Sequence, residues 1–274
     1  MNRVLQCGRF RLSLERPLIM GVVNVTPDSF SDGGRYLDVA AAIAQARRLL
    51  AEGADLLDIG GESTRPGAVP VSLEEERRRV LPVLEALAGD GAAVSVDTQK
   101  PELMREAIAC GAAMINDVNG FEAPGAIEAV SESEAGICIM HKQGTPKTMQ
   151  SQPVYDDVVA EVGAYLRSRA LAAEAAGVAR QRIVTDPGFG FGKTLQHNLA
   201  LLSRFDELVA SGWPVLAGMS RKSMIGALTG REVGERLAGS LAAALLAAGR
   251  GAAVLRVHDV AATRDALSVW AAAR

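Results

Sequence analysis

Short, β-branched apolar runs recur along the chain, each emptying into polar residues and then into a longer stretch of helical periodicity. The runs predict strands near 18–24, 55–60, 93–97, 113–118, 136–140, 183–186, 214–218 and 253–257. The stretches after them predict helices near 38–52, 73–88, 101–109, 124–132, 155–176, 196–211, 234–249 and 260–273. An alternation of this kind requires a parallel sheet covered by helices, and eight units point to closure as an α/β (β/α)8 barrel, the TIM barrel, rather than an open doubly wound sheet. Gly53, Gly111, Gly136 and Gly177 each follow a helical stretch where a left-handed cap would end it. Segment 3–16 alternates instead of running apolar, which predicts a short N-terminal β-hairpin plugging the bottom of the barrel. With no interdomain linker and no strong repeat, residues 1–274 read as a single domain.

Composition narrows the function class. A chain of 274 residues buries roughly three-quarters of its unfolded surface, so core size is not limiting. The net charge is -3 and Lys and Arg are dispersed, so no basic stripe suggests nucleic acid. The three cysteines, Cys7, Cys110 and Cys138, show no metal or disulfide spacing and fit small buried hydrophobes in a reducing compartment. The apolar stretch 241–248 is far shorter than the ~20 residues that span a bilayer, and charges interrupt the N-terminus where a leader would need an apolar core. A cytoplasmic protein without membrane association is expected.

In a barrel of this kind catalytic groups sit where strands end, and here nearly every strand finishes on a polar residue. They are Asn24, Asp58, Asp97, Asn116, His141, Asp186, Ser220 with Lys222, and Arg256 with His258. Any one of these is more often a cap or a loop residue; eight together are hard to explain by capping. Asp97, Asn116 and Asp186 would converge as acceptors deep in a pocket, a set that suits a flat heterocycle with an amino-pyrimidinone edge. Lys222 and Arg256 add positive charge, and an Arg plane could stack on such a ring. Asn24 and Asp32 are hard oxygen ligands of the sort Mg2+ accepts beside waters and phosphates, and Arg65, Arg256 and His258 could hold anionic oxygen. Segments 26–37 and 60–72 are long, Gly-rich βα connections that would act as lids.

Three motifs fail on inspection. Gly188-Phe-Gly-Phe-Gly-Lys-Thr194 approaches a P-loop, but the spacing needs Gly at 187, which is Pro. Gly218-Met-Ser-Arg-Lys222 is no nucleophile elbow, because Lys takes the last glycine position. His141, His197 and His258 are too far apart for a helical zinc motif.

The longer motifs carry a family resemblance. Gly21-Val-Val-Asn-Val-Thr-Pro-Asp-Ser-Phe-Ser-Asp-Gly-Gly34 and Asp58-Ile-Gly-Gly-Glu-Ser-Thr-Arg-Pro-Gly67 resemble the two signatures of the dihydropteroate synthases. Ser95-Val-Asp-Thr98, Ile115-Asn-Asp-Val118, Asp186-Pro-Gly-Phe-Gly-Phe-Gly-Lys193, Ser220-Arg-Lys-Ser223 and Arg256-Val-His258 extend the match along the chain. The resemblance implies condensation of 6-hydroxymethyl-7,8-dihydropterin pyrophosphate with p-aminobenzoate, with Mg2+, usually in a homodimer. It assigns Asp97, Asn116, Asp186, Lys222 and Arg256 to the pterin, and Asn24, Thr64, Arg65, Arg256 and His258 to pyrophosphate. It assigns Phe30, Thr64, Pro66, Phe191, Lys222 and Ser223 to aminobenzoate, Asn24 and Asp32 to the metal, and a direct part in the chemistry to Lys222, Arg256, His258 and Asp32.

The chain departs from the family pattern at Lys142, where Met is expected, and at Met224, where Phe is frequent. Two other readings remain open. A pterin-dependent methyltransferase would share Asp97, Asn116 and Asp186 but would not need Asn24, the two lid signatures or Lys222-Ser223. A non-catalytic relative would have lost some pyrophosphate or lid residues, and here all are present.

Overall fold

A computed structural model describes residues 4–25, 35–63, 68–144 and 153–273. An antiparallel hairpin, β1 (Val4–Cys7) and β2 (Phe10–Ser13), precedes the barrel. The barrel strands are β3 (Leu18–Asn24), β4 (Leu56–Gly60), β5 (Val94–Asp97), β6 (Met114–Asp117), β7 (Gly136–Met140), β8 (Ile183–Asp186), β9 (Leu216–Ala217) and β10 (Val254–Val257). All neighbours pair in parallel, in the order β8-β7-β6-β5-β4-β3-β10-β9, and a parallel bridge between Thr185 and Val215 closes the ring. The expected (β/α)8 barrel is therefore the observed architecture.

Helices α1 (Arg35–Ala51), α2 (Leu73–Gly89), α3 (Pro101–Ala109), α4 (Ala126–Ser131), α5 (Val158–Ala175), α6 (Leu195–Ser203), α7 (Phe205–Val209), α8 (Ser223–Thr229), α9 (Leu237–Gly249) and α10 (Val260–Ala272) follow the strands. Local signals start several of them. Ser72 caps α2 through the Glu75 amide, Asp157 caps α5 through the amides of Val159 and Ala160, and Thr194 and His197 form a reciprocal capping box on α6. The stretch expected as one helix over 196–211 breaks at Arg204, whose φ of -112° and ψ of 29° lie outside the helical basin. Its guanidinium instead binds Asp157 and Glu207.

One expected cap is corrected. Gly53, Gly111 and Gly177 do end helices at positive φ, but Gly136 lies inside β7. A Cβ there would come within 2.9 Å of Cys7 Sγ, so the glycine admits the hairpin against the barrel floor. Leu5 and Cys7 pack among Leu18, Met20, Leu56, Met114, Cys138, Val184, Leu216 and Val254, which face inward at the strands' N-terminal ends. The hairpin plugs the bottom, as its alternating pattern predicts. A second, larger apolar layer lies between the strands and the helices around them.

Candidate active site

Because side chains alternate along a strand, the position two residues beyond each floor residue also faces inward. There the inner face turns polar: Leu56 gives way to Asp58, Met114 to Asn116, Val184 to Asp186 and Val254 to Arg256. Asp58 is wholly buried, and Asn116 and Asp186 nearly so. Arg256 Nε donates to Asp58 Oδ2 at 2.6 Å and its Nη2 to Asp97 Oδ2 at 3.3 Å, while Asn116 Nδ2 donates to Asp58 Oδ2 at 3.1 Å. Asp58 Oδ1 and Asn116 Oδ1 are left buried without a partner among the described residues. An unsatisfied buried acceptor costs about 1–3 kcal/mol, a deficit that a ligand carrying N–H groups would remove.

Glycines bring the remaining groups close. Gly60 sits between Asp97 and Asn24, whose oxygens would lie 3.9 and 4.0 Å from a Cβ placed there. Gly218 likewise sits between Arg256 Cβ at 3.8 Å and Lys222 Nζ at 3.9 Å. Lys222 Nζ donates to Phe189 O at 2.6 Å and lies 4.7 Å from the centre of the Phe191 ring. Asp186 Oδ1 accepts the Gly188 N–H at 2.7 Å. Ser223 opens α8. Asn24, Asp97, Asn116, Asp186, Phe191, Lys222, Ser223, Arg256 and His258 thus all border the C-terminal mouth, on the strand ends and the loops that leave them. Phe30, Asp32, Thr64, Arg65 and Pro66 lie outside the described residues, as do the central parts of both expected lids.

Burial sets the charges. Asp97 is pushed up to about 8 by desolvation first and Asp58 second. Desolvation also raises Asp186, against the pull of Lys222. It lowers Lys222 to about 8, with Asp186 opposing it. Burial works against the Arg256 charge too, but Asp58 and Asp97 outweigh it and hold the guanidinium firmly cationic. The site is a desolvated lattice of acceptors and cations rather than a proton relay.

Three residues without a role read from the sequence make contacts in or beside this site. Asp58, a polar strand residue to which the sequence gives no role, anchors both Arg256 and Asn116. Ser220 Oγ accepts the His258 N–H at 3.2 Å and lies 3.1 Å from its Nδ1. Lys193, the lysine of the failed P-loop, is buried, and its Nζ contacts His141 Nδ1 at 2.9 Å and Phe191 O at 3.0 Å. Burial lowers Lys193 to about 7 and His141 to about 3.

The loop over this lysine has no room for a side chain at Gly188, where a Cβ would lie 1.9 Å from His141 O at a φ of +67°. Gly188→Ala is expected to destabilise the protein by more than about 2 kcal/mol and to displace Asp186. Urea unfolding reads the loss, and an unchanged midpoint would contradict the packing.

Fold and site together define a barrel enzyme that takes a flat, polar heterocycle at its C-terminal mouth. The sequence profile described as "Pterin binding enzyme" matches residues 20–258. A dihydropteroate synthase of Neisseria meningitidis serogroup B is 55% identical over 278 residues, covering 99% of this chain and 98% of the relative. The Escherichia coli K12 dihydropteroate synthase is 51% identical, covering 94% and 92%. Among solved structures, the Xanthomonas albilineans enzyme with 4-aminobenzoic acid superposes with a TM-score of 0.94 at 56% identity, covering 100% of this chain and 98% of that one. The same organism's enzyme with 7,8-dihydropteroate gives a TM-score of 0.91 at 54% identity, covering 98% of each chain. The chain belongs to the dihydropteroate synthase family.

Proposed function

We infer that the chain is a dihydropteroate synthase, condensing 6-hydroxymethyl-7,8-dihydropterin pyrophosphate with p-aminobenzoate to give 7,8-dihydropteroate and pyrophosphate. The observation that carries this reading is the set of orphaned acceptors, Asp58 Oδ1 and Asn116 Oδ1, sharing one mouth with Asp97 and Asp186. A pterin presents N–H groups to such a set along one edge. Asp97, Asn116 and Asp186 orient the ring, Lys222 faces it from the β9 loop, and Arg256 offers a guanidinium plane beside it.

Cleavage of the bond between the pterin methylene carbon and its pyrophosphate leaves a cation conjugated with an electron-rich ring. Loss of the leaving group can therefore precede attack, and the protein needs charge stabilisation at the departing oxygen more than a base. Arg256 and His258, joined by Arg65, supply it. The neutral arylamine nitrogen then attacks the methylene carbon, and the resulting ammonium gives its proton to an oxygen of the departed pyrophosphate. Exclusion of water by the loops keeps the cation for the amine.

Magnesium is part of this proposal. Asn24 would hold it with Asp32, a sparse set that suits an ion retaining waters and phosphate oxygens; the described residues hold no cluster of three or more acidic, His or Cys ligands. When bound, the ion would neutralise charge on the departing pyrophosphate. Aminobenzoate would lie against Phe191, Lys222 and Ser223, with Phe30, Thr64 and Pro66 from the two loops. A homodimer is also proposed, supported by the exposed Leu228 and Leu237 on α8 and α9. A cytoplasmic location is supported by the free thiols of Cys7, Cys110 and Cys138. Among the described residues no helix is long and apolar enough to cross a membrane.

The test is pyrophosphate release from purified protein with both substrates and Mg2+. Release that requires aminobenzoate and yields dihydropteroate is expected; release indifferent to aminobenzoate would refute the synthase reading. A second expectation concerns protons. Asp97, held up to about 8, is largely protonated at pH 7, and N–H donors from a pterin favour its ionised form. Binding at pH 7 should therefore release a proton, read by calorimetry in buffers of different ionisation enthalpy. Asp97→Asn should abolish that release, and its persistence would reassign the proton.

A further inference from the structure

Arg221 is a non-glycine residue at a φ of +59°, a backbone state that persists only where the surroundings over-determine it. Here they do. The Arg221 N–H donates to Ser240 Oγ at 3.0 Å, its carbonyl accepts from Arg236 Nη1 at 3.0 Å, and its guanidinium pairs with Asp259, through Nε at 3.0 Å. The corner between β9 and α8 is thereby clasped to the end of β10, with Ser220 against His258 and Arg221 against Asp259.

We propose that Ser220 is a positioning residue that keeps the proton of the neutral His258 ring on Nε2, making that atom a donor to the leaving group. The inference rests on the reading above, in which His258 meets pyrophosphate. It follows from hydrogen-bond accounting at one oxygen. Ser220 Oγ already accepts the His258 backbone N–H at 3.2 Å, and the acceptor within reach of its own hydrogen is Nδ1, at 3.1 Å. With the hydroxyl donating, Nδ1 carries a lone pair and the ring proton stands on Nε2.

The opposite tautomer would have Nδ1 donate to Ser220 Oγ. The hydroxyl hydrogen of this buried serine would then have no acceptor among the described residues. If the ring takes up a second proton, the hydroxyl rotates and accepts from Nδ1, and Nε2 remains protonated. The donor toward the departing oxygen is thus present in both charge states. Arg221 and Asp259, the chain neighbours of Ser220 and His258, are paired with each other.

Nitrogen-15 spectra of histidine-labelled enzyme test this on the wild type, since the chain has three histidines and His258→Gln identifies the resonances of interest. With the ring neutral, Nε2 is expected at the shift of a protonated ring nitrogen and Nδ1 at that of a hydrogen-bonded, unprotonated one. In Ser220→Ala the Nδ1 resonance should move to the unbonded position. Turnover should fall about tenfold with the aminobenzoate KM unchanged, and Ser220→Thr, which keeps the hydroxyl, should restore both readouts. A protonated Nδ1 in the wild type, or an alanine variant with unchanged Nδ1 shift and turnover, would overturn the proposal. Wild-type turnover in His258→Gln would instead remove the pyrophosphate reading of His258, whatever the tautomer.

Discussion

Asp186→Ala is expected to weaken pterin binding by about 2–5 kcal/mol, roughly 30-fold to several thousand-fold in Kd. The size of the effect follows from what the carboxylate does and does not satisfy already. Oδ1 is taken by the Gly188 N–H, whereas no hydrogen bond is made by Oδ2 among the described residues, so a ligand N–H would not have to displace a protein partner there. Desolvation raises the carboxyl, and the Lys222 charge restrains that rise. Asp186→Asn keeps an acceptor for Gly188 but loses the charge, and should fall between the wild type and alanine. Calorimetric titration with the pterin pyrophosphate measures all three. Affinity unchanged in the alanine variant would take the pterin out of this pocket.

Arg256→Met carries the largest consequence, because it acts on folding and on chemistry at once. Arg256 is the charge partner of both Asp58 and Asp97, and removing one side of a buried ion pair costs about 3–5 kcal/mol. The loss must depend on pH, and its sign can be worked out. Asp97 in the folded protein stands at about 8, above the ~3.9 of an unfolded aspartate. The native state therefore binds more protons than the unfolded one between those values, and stability falls as pH rises through that window. Without the guanidinium, repulsion between Asp58 and Asp97 pushes the same way. The variant's urea midpoint should lie further below the wild type at pH 8 than at pH 5. Equal deficits at the two pH values would mean that the carboxylates are not what Arg256 restrains. Turnover should drop more than aminobenzoate affinity measured with pyrophosphate present, since the guanidinium is assigned to the leaving group.

The strands were legible because they are largely buried on both faces and read as mainly apolar runs, bounded by polar residues at the mouth. Their lengths were less so. β9 shrinks to Leu216–Ala217 within the expected 214–218: Pro214 has no N–H to donate, and Val215 meets β8 through an isolated bridge while its carbonyl accepts from Ala253 and Val254. Gly136 looked like a helix cap, a local feature, but it answers to Cys7, more than a hundred residues earlier. Asp97, Asn116, Asp186, Lys222, Arg256 and His258 could be picked out because they close strands or follow them. Asp58 sits in the middle of β4, and its importance depends on which of its neighbours face the axis, a matter of register across the whole ring. Ser220 was visible as a polar residue, but its bond to His258 requires the corner at Arg221, whose left-handed backbone no residue type announces.

The packed hairpin beneath the strands has a kinetic consequence. With Leu5 and Cys7 wedged into the floor, the cavity has no rear exit, so two reactants and two products share one doorway. With the pterin assigned to Asp97, Asn116 and Asp186, the bicyclic portion would lie deepest and enter first. With pyrophosphate and aminobenzoate assigned nearer the opening, the coupled product would depart only after whatever stands above it has cleared. Ordered arrival and departure follow from the plugged cylinder itself.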